Sequence, residues 1–168
     1  MLEFDKKGFL VPDQSLACSL DEMRRVFVEE FPASGTRLAL FENFTEYCRE
    51  LMVKTNMEML LIWVGGSFVT QKARPNDVDV VVFLESSIID QYETALKSAF
   101  KFPASKEKYK VDAYIIRVYP EYNRNFALTQ SDRLDWLNFW TKTAPNGAGV
   151  RNKKGFLEIN IRYDEIKI

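Results

Sequence analysis

Two aspartates that could act together open an apolar segment of the chain. In "NDVDVVVFLE", Asp77 and Asp79 are separated by one residue and lead into a run of valines, which is typical of a buried strand. Because alternate side chains of a strand point to the same face, the two carboxylates are predicted to lie side by side. Like charges this close repel and raise a pKa unless a cation lies between them. The pair therefore predicts a site for Mg²⁺, which binds carboxylate oxygens together with substrate phosphates.

A third acid lies in another strand-like segment. Asp112 is flanked by apolar residues in "YKVDAYII", where an aspartate is unfavourable unless it is paired, binds a metal or faces a cleft. Taken alone, Asp112 is typical of an ion-paired strand residue. If its strand lies beside that of Asp77 and Asp79, three carboxylates converge. Such a set can hold two metal ions roughly 4 Å apart, the arrangement used for in-line phosphoryl or nucleotidyl transfer.

A glycine-rich turn precedes the acids. The apolar run "LLIWV" ends in Gly65, Gly66 and Ser67. Glycine allows the backbone to approach a ligand closely, and successive backbone amides in such a turn form a concavity that binds anions. The Ser67 hydroxyl adds a hydrogen-bond donor. The segment predicts a grip for a triphosphate, and the alternative is an ordinary turn at the end of a strand.

Composition narrows the available chemistry. The chain has 168 residues, no histidine, two cysteines and a formal net charge of −1. Without histidine, the histidine-based triads, the usual zinc sites and histidine general bases are excluded. The cysteines have no metal-type spacing and are interpreted as reduced thiols. No apolar run approaches the roughly 20 residues of a membrane span, and we expect a soluble cytoplasmic protein.

The apolar periodicity predicts one mixed α+β domain over residues 1–168. Its core covers about 36–118, and a C-terminal helix and strand over 131–162 complete it. The predicted order is α-α-β-β-α-β-α-β, a β-sheet flanked by helices. Ser87 and Ser131 are predicted to cap the third and fourth helices. The predicted helices are 20–30, 36–54, 88–100 and one starting at 131; the predicted strands are 58–66, 77–84, 109–118 and 153–162.

The segment "TAPNGAGVRNKKG" is predicted to be a flexible loop. Its basic residues Arg151, Lys153 and Lys154 are typical of a solvated loop, with contact to phosphates or to an RNA backbone as the alternative. Trp136 and Trp140 lie one helical turn apart and are interpreted as core or interface residues in preference to a base-stacking platform.

The stretch "GGSFVTQKARPNDVDVVVF" resembles the signature of the nucleotidyltransferase superfamily, whose fold is shared by DNA polymerase beta and the minimal bacterial nucleotidyltransferases. In that signature an apolar strand, Gly-Ser and a short connection are followed by Asp-x-Asp and a second apolar strand; here nine residues separate Ser67 from Asp77. "KVDAYII" is similar to the third acidic strand. The segments "FDKKGFLVPDQ" and "KKGFLEINI" also resemble a little-characterised bacterial group of stand-alone members.

The resemblance implies a nucleotidyltransferase-like mixed sheet and a set of site residues. Gly66 and Ser67 would grip the nucleotide phosphates, and Asp77, Asp79 and Asp112 would bind two Mg²⁺ ions, with Mn²⁺ as a substitute. Minimal antitoxin-type members often carry Arg-Gly after Gly-Ser, whereas this chain has "SFVTQKARP". Lys72 or Arg74 would have to supply the missing positive charge.

Two functions are expected from this resemblance. The first is an enzyme that transfers a nucleoside monophosphate from an NTP such as ATP to an acceptor hydroxyl on a protein, an RNA end or a small molecule. The second is a catalytically weak or silent antitoxin or defence-system protein that acts by binding a partner such as a toxin. No DNA-binding module is evident in the sequence.

Overall fold

The computed structural model describes residues 2–166 and contains seven strands and six helices in that part of the chain. The strands are β1 (Glu3–Phe4), β2 (Leu10–Val11), β3 (Ser15–Ala17), β4 (Met59–Gly65), β5 (Val78–Glu85), β6 (Val111–Val118) and β7 (Phe156–Arg162). The helices are α1 (Leu20–Arg24), α2 (Arg37–Thr55), α3 (Ser86–Ala95), α4 (Ala104–Tyr109), α5 (Phe126–Trp140) and α6 (Tyr163–Ile166). Helices α1 and α3 continue as π-helical turns over Arg25–Glu29 and Leu96–Phe100.

Five strands form one mixed sheet in the order β3-β7-β4-β5-β6, and β1 pairs with β2 separately. Strand β4 is antiparallel to both of its neighbours, β7 and β5. Strand β6 is parallel to β5, and β3 is parallel to β7. The parallel β5–β6 pair is connected through α3 and α4, because a crossover between parallel strands needs a long connection. The fold is therefore α+β with a mixed sheet flanked by helices.

The two faces of the sheet have different coverings. Val78, Val80 and Val82 alternate along β5 into the main hydrophobic core, together with α2. The opposite face carries a smaller core under α5, formed by Trp63, Val81, Phe83, Ile116, Trp140 and Phe156. Because Asp79 alternates with Val78 and Val80, its side chain belongs to this second face. The sheet thus places the acids beside α5, away from the main core.

The predicted helices and strands are present, but the predicted order lacked β1, β2, β3, α4 and α6, and β7 begins at Phe156 instead of at 153. Three other boundaries were also wrong. Helix α3 begins at Ser86 with Glu85 as its N-cap, so Ser87 lies inside the helix. Helix α5 begins at Phe126, because the Thr129 hydroxyl donates to the Arg117 carbonyl (3.1 Å) and accepts from the Tyr119 amide (2.9 Å), which fixes its first turn against the end of β6. Ser131 is an exposed residue inside that helix. Such contacts between distant segments leave no pattern in the local sequence.

The third boundary concerns the segment before β6. The predicted strand began at 109, but residues Ala104–Tyr109 form α4, which ends at Lys110 with a left-handed φ of 59°. Tyr109 is buried against α2, where its hydroxyl donates to the Glu50 carboxylate. This helix matters for the site because it carries Lys106. Within residues 2–166, no helix is long and apolar enough to cross a membrane.

Candidate active site

Three neighbouring strands place a row of site residues on the α5 face of the sheet. Gly65 on β4 pairs with Asp79 on β5, and Asp79 pairs with Asp112 on β6. Residues paired across neighbouring strands present their side chains on the same face. Asp77 precedes β5 by one residue. The strand register thus meets the condition set in the sequence analysis, that the strand carrying Asp112 lies beside the Asp77–Asp79 segment.

A lysine from α4 connects two of the carboxylates. The Lys106 ammonium lies 2.8 Å from Asp77 Oδ2 and 3.1 Å from Asp112 Oδ2. These two contacts, with Asp77 first, raise the pKa of Lys106 above its ordinary value, so it is charged at neutral pH. The second oxygen of Asp112, Oδ1, is buried and has no hydrogen-bond partner among the described residues. One ammonium group thus contacts two of the three acids, and one acceptor atom is left unsatisfied.

The surroundings of Asp79 disfavour its charged form. Burial, followed by repulsion from Asp77 and Asp112, raises the pKa of Asp79 from 3.8 to about 6, and the charges of Lys154 and Lys106 oppose the shift only in part. A carboxyl group whose ionisation is made unfavourable by burial and by neighbouring acids is typical of a functional site. A cation bound there would make its ionisation favourable again.

This raised pKa predicts a pH-dependent stability. Folded Asp79 keeps its proton up to about pH 6, whereas the unfolded chain loses it near 3.8, so this group lowers the free energy of unfolding as pH rises from about 4 to 6. Asp79→Asn cannot ionise, and we expect it to exceed the wild type in stability above pH 6 by about 1–3 kcal/mol. Urea unfolding in EDTA at several pH values measures the difference.

The advantage of the Asp79→Asn variant should shrink as the pH falls from about 6 and level off below about 4, where the wild-type carboxyl becomes protonated in both states. Asp132→Asn, at an exposed position on α5, is the control and should show no such trend. A constant difference between wild type and Asp79→Asn over the whole range would show that Asp79 titrates normally.

The two glycines before Ser67 are required for different steric reasons. Gly66 has a left-handed φ of 66°, and a Cβ atom built on it would lie 1.6 Å from Asp79 Oδ2. At Gly65 a Cβ atom would lie 2.8 Å from Cε3 of Trp140, the last residue of α5. The turn is therefore packed directly against the Asp79 carboxylate and against the helix that covers the face.

A buried arginine fixes the segment that follows this turn. The Arg37 guanidinium, at the start of α2, donates to the carbonyls of Phe68 (2.7 Å), Thr70 (2.7 Å) and Lys72 (2.6 Å), and also to that of Phe27. Its planar fork reaches four acceptors at once, which the point charge of a lysine cannot do. Arg37 thus fixes the backbone of residues 68–72 through these hydrogen bonds.

A cleft of about 700 Å³ opens beside the turn. Gly66 and Ser67 line it on one side, and residues near the N-terminus and before β7 line the other. Four of its lining residues are lysines: Lys6, Lys7, Lys72 and Lys154. Lys72, predicted from the sequence as a phosphate contact, has an exposed side chain at this cleft.

Lys154 differs from the other three lysines. It is 8% exposed, and burial lowers its pKa while the negative charge of Asp79 opposes that shift. The neighbouring Lys153 is exposed and pairs with Asp13 at 3.3 Å. The interpretation of this basic segment as a solvated loop was therefore wrong for Lys154, which is buried, lines the cleft and interacts with the charge of Asp79.

The comparison with protein families decides where the chain belongs. The profile of DUF6932, described as a family of unknown function, matches residues 2–160. The chain is a member of DUF6932. No curated protein and no solved structure matches it.

In this DUF6932 chain, sequence patterns missed one residue of the site, Lys106, and named Lys154 only within a basic loop for which contact with phosphates was the alternative. Lys106 lies in "ASKEKYK", where it is indistinguishable from a surface lysine of an amphipathic segment. Lys154 directly precedes Gly155, whose amide donates to the Leu10 carbonyl at 2.7 Å. A Cβ atom on Gly155 would lie 2.5 Å from the Pro12 carbonyl. A glycine after a lysine pair was thus the only available signal for a tightly packed, ordered segment.

The carboxylate oxygens of Asp77, Asp79 and Asp112 are ligands of the type that binds a metal ion, but their present arrangement does not form a metal site. Within residues 2–166, no three histidine, cysteine, aspartate or glutamate side chains are arranged to hold a metal ion. Lys106 occupies one oxygen of Asp77 and one oxygen of Asp112. The unsatisfied Asp112 Oδ1 and the raised pKa of Asp79 are nevertheless what oxygen ligands lacking a cation would show. The residues fit Mg²⁺ if the Lys106 ammonium withdraws.

Proposed function

We propose that this chain is a metal-dependent nucleotidyltransferase that moves an NMP group from an NTP to an acceptor hydroxyl and releases pyrophosphate. One observation carries the proposal: the cleft lined by Gly66, Ser67 and four lysines adjoins the row of carboxylates at Gly66, whose Cα lies against Asp79. An NTP needs both features next to each other, cations for its triphosphate and carboxylates at the phosphorus that reacts. The resemblance of the Gly-Ser and Asp-x-Asp segments supports the same assignment.

Different residues of the site bind the phosphates, hold the metal ions and accept the proton. The lysines of the cleft and the amides of the Gly66–Ser67 turn bind the β- and γ-phosphates, which leave together as pyrophosphate. Asp77, Asp79 and Asp112 would hold Mg²⁺, or Mn²⁺ in its place, and the bound ions would supply charge neutralisation at the reacting phosphate. The new bond joins the acceptor oxygen to the α-phosphorus, and the bond from that phosphorus to the bridging oxygen breaks. Asp112 is the proposed base that takes the acceptor proton.

Incubation with each of the four NTPs, radiolabelled at the α-phosphate, tests the activity. The protein is assayed with Mg²⁺ or Mn²⁺, alone and with cell extract, and labelled protein, RNA and small molecules are then separated. We expect metal-dependent transfer of label to one of these classes, with a companion protein or RNA as acceptor. Absence of any labelled product under all of these conditions would contradict an enzymatic function.

A second function is favoured by the contact between Lys106 and the acids. A lysine bridging Asp77 and Asp112 offsets part of the negative charge of the site without a metal, as a silent member of the superfamily would. Exposed apolar side chains on α5, Leu128 and Leu134, would then suit a partner protein such as a toxin. Titration of the protein with Mg²⁺ by calorimetry separates the two proposals, because a silent protein should bind none in the range that supports NTP binding.

The buried lysine of the cleft gives a direct test of nucleotide binding. Lys154→Met keeps an unbranched apolar stem and removes the ammonium group. We expect its affinity for MgATP to fall at least about tenfold, in line with the loss of a hydrogen bond to a charged group. The matched control is Lys153→Met, which changes the adjacent exposed lysine. Calorimetry on both folded variants measures the difference. Equal affinities for Lys153→Met and Lys154→Met would mean that Lys154 does not contact the nucleotide.

A further inference from the structure

A strip of aromatic side chains runs along the α5 face of the sheet. The rings of Phe102 and Tyr114 are nearly parallel, with an interplanar angle of 16° and centroids 6.2 Å apart. Tyr114 packs on Trp136 at 4.8 Å, and Trp136 contacts Phe139 at 5.9 Å. We refer to these four residues, Phe102, Tyr114, Trp136 and Phe139, as the aromatic strip.

The aromatic strip is continuous with the acids. Tyr114 follows Asp112 by two residues on β6, so both side chains lie on the same face of the sheet. The Lys106 ammonium, which contacts Asp77 and Asp112, lies 6.0 Å from the centroid of the Phe102 ring. The basic cleft adjoins Asp79 from the β4 side, whereas the strip adjoins Asp112 on β6. The carboxylates therefore lie between a surface for phosphates and a surface for flat apolar groups.

Three of the four rings of the aromatic strip are exposed to solvent, although large aromatic side chains are usually buried. Phe102 is 47% exposed, Tyr114 39% and Phe139 60%. A shallow cavity of about 310 Å³ lies over Trp136 and Phe139, next to Asp135. The core function that the sequence suggested for the two tryptophans is fulfilled by Trp140, which is buried against Phe156, and Trp136 is half-buried. Several large rings exposed in one row beside acids are a candidate ligand surface.

We propose that the aromatic strip binds a nucleobase, with Phe102 and Tyr114 as the stacking surface next to the acids. The inference rests on the proposed function, since it assigns a ligand to the same site. A nucleobase is flat and stacks on aromatic rings, and because every base has a π-face such a surface accepts bases with little sequence preference. The base belongs either to the NTP or to the acceptor end of a nucleic acid strand, and the chemistry of recognition is the same.

Three ligands separate these sources. MgATP carries a triphosphate and a base, inorganic tripolyphosphate carries no base, and a short single-stranded oligoribonucleotide with a 5′-hydroxyl end carries bases without a triphosphate. Affinities are measured by calorimetry for the wild type, Phe102→Ala, Tyr114→Ala and the conservative variant Tyr114→Phe, which keeps the ring. Tyr122→Ala changes a tyrosine that is 92% exposed and outside the strip, and it is the matched control. Thermal unfolding confirms that each variant is folded.

We expect Phe102→Ala and Tyr114→Ala to weaken binding of a base-carrying ligand about tenfold or more, while tripolyphosphate binding, Tyr114→Phe and Tyr122→Ala stay near the wild type. A loss of affinity for MgATP assigns the strip to the base of the NTP, and a loss of affinity for the oligoribonucleotide alone assigns it to the base of the acceptor.

The proposed function and this inference can fail separately. If the wild type binds neither MgATP nor tripolyphosphate but binds the oligoribonucleotide through these rings, the strip is a base-binding surface and the proposed function fails. Unchanged affinity for both base-carrying ligands in the two folded alanine variants, or failure of both to bind the wild type, overturns the inference and leaves a protein-contact surface.

Discussion

Combining Asp77→Asn with Asp79→Asn should abolish metal-dependent nucleotide binding and transfer. The amides keep the shape of the side chains and remove the two charges that would hold the ion. Loss of a residue that only supports a metal ligand lowers metal affinity or activity by about 10- to 100-fold, so loss of two direct ligands should lower it by more than about 100-fold. Calorimetry with MgATP and the radiolabel assay measure the two quantities.

The fold should survive this double substitution. Removing the charge of Asp79 relieves a carboxylate whose pKa is raised by burial and by its acidic neighbours, and Lys106 retains its contact with Asp112. The matched control is Asp21→Asn combined with Asp132→Asn, which removes the same charge from two exposed positions. Unchanged affinity for MgATP in a folded Asp77→Asn/Asp79→Asn protein would exclude these aspartates as metal ligands.

Substitution of Gly66 should have the largest effect on both stability and nucleotide binding. A side chain there must adopt a left-handed backbone and displace the Asp79 carboxylate, since its Cβ atom would lie 1.6 Å from Oδ2. Left-handed strain and overpacking together predict a loss of about 2–5 kcal/mol in the free energy of unfolding for Gly66→Ala. Gly66→Val should in addition abolish nucleotide binding, because the turn can no longer approach the phosphates. Urea unfolding and calorimetry measure the two effects.

A double-mutant cycle separates the clash from the backbone strain. In an Asp79→Ala background the carboxylate is absent, so Gly66→Ala should cost less than in the wild type, and the remaining cost reports the left-handed φ. Gly35→Ala is the control, because a Cβ atom at Gly35 meets nothing within 4 Å. Equal costs of Gly66→Ala in both backgrounds would show that the turn is not packed on Asp79. A folded Gly66→Val protein that binds MgATP as the wild type does would remove the proposed phosphate grip.

The sequence predicted the acid row because its residues obey local rules. The two-residue period of a strand places Asp77 and Asp79 on one face, and a valine-rich run marks the strand that follows. The pairing of Asp79 with Asp112 did not follow from these rules, since strand order depends on how the connection through α3 and α4 packs. The sequence analysis raised it only as a condition, and the resemblance to the superfamily implied it. The assignment of metal ligands and phosphate contacts stays a prediction.

Capping rules were reliable only where the cap is local. Ser19 Oγ accepts from the Glu22 amide at 3.1 Å, as the capping-box spacing predicts. Ser131 satisfies the same composition rule but lies inside α5, because Thr129 binds the end of β6 and starts the helix five residues earlier. A propensity rule cannot include a partner that lies far away in the sequence.

The sequence alone determined which residues of this protein could do chemistry: without histidine, with two aspartates at alternate strand positions and a Gly-Gly-Ser turn before them, carboxylates and backbone amides were the available groups. Only the tertiary structure decided their charge environment. It brought Lys106 from α4 onto Asp77 and Asp112, buried Lys154 near Asp79, and exposed the aromatic strip beside the acids. The physical reason is that residue types and strand periodicity act over a few residues, whereas Coulomb interactions and burial depend on distances through space between segments that are far apart in the chain.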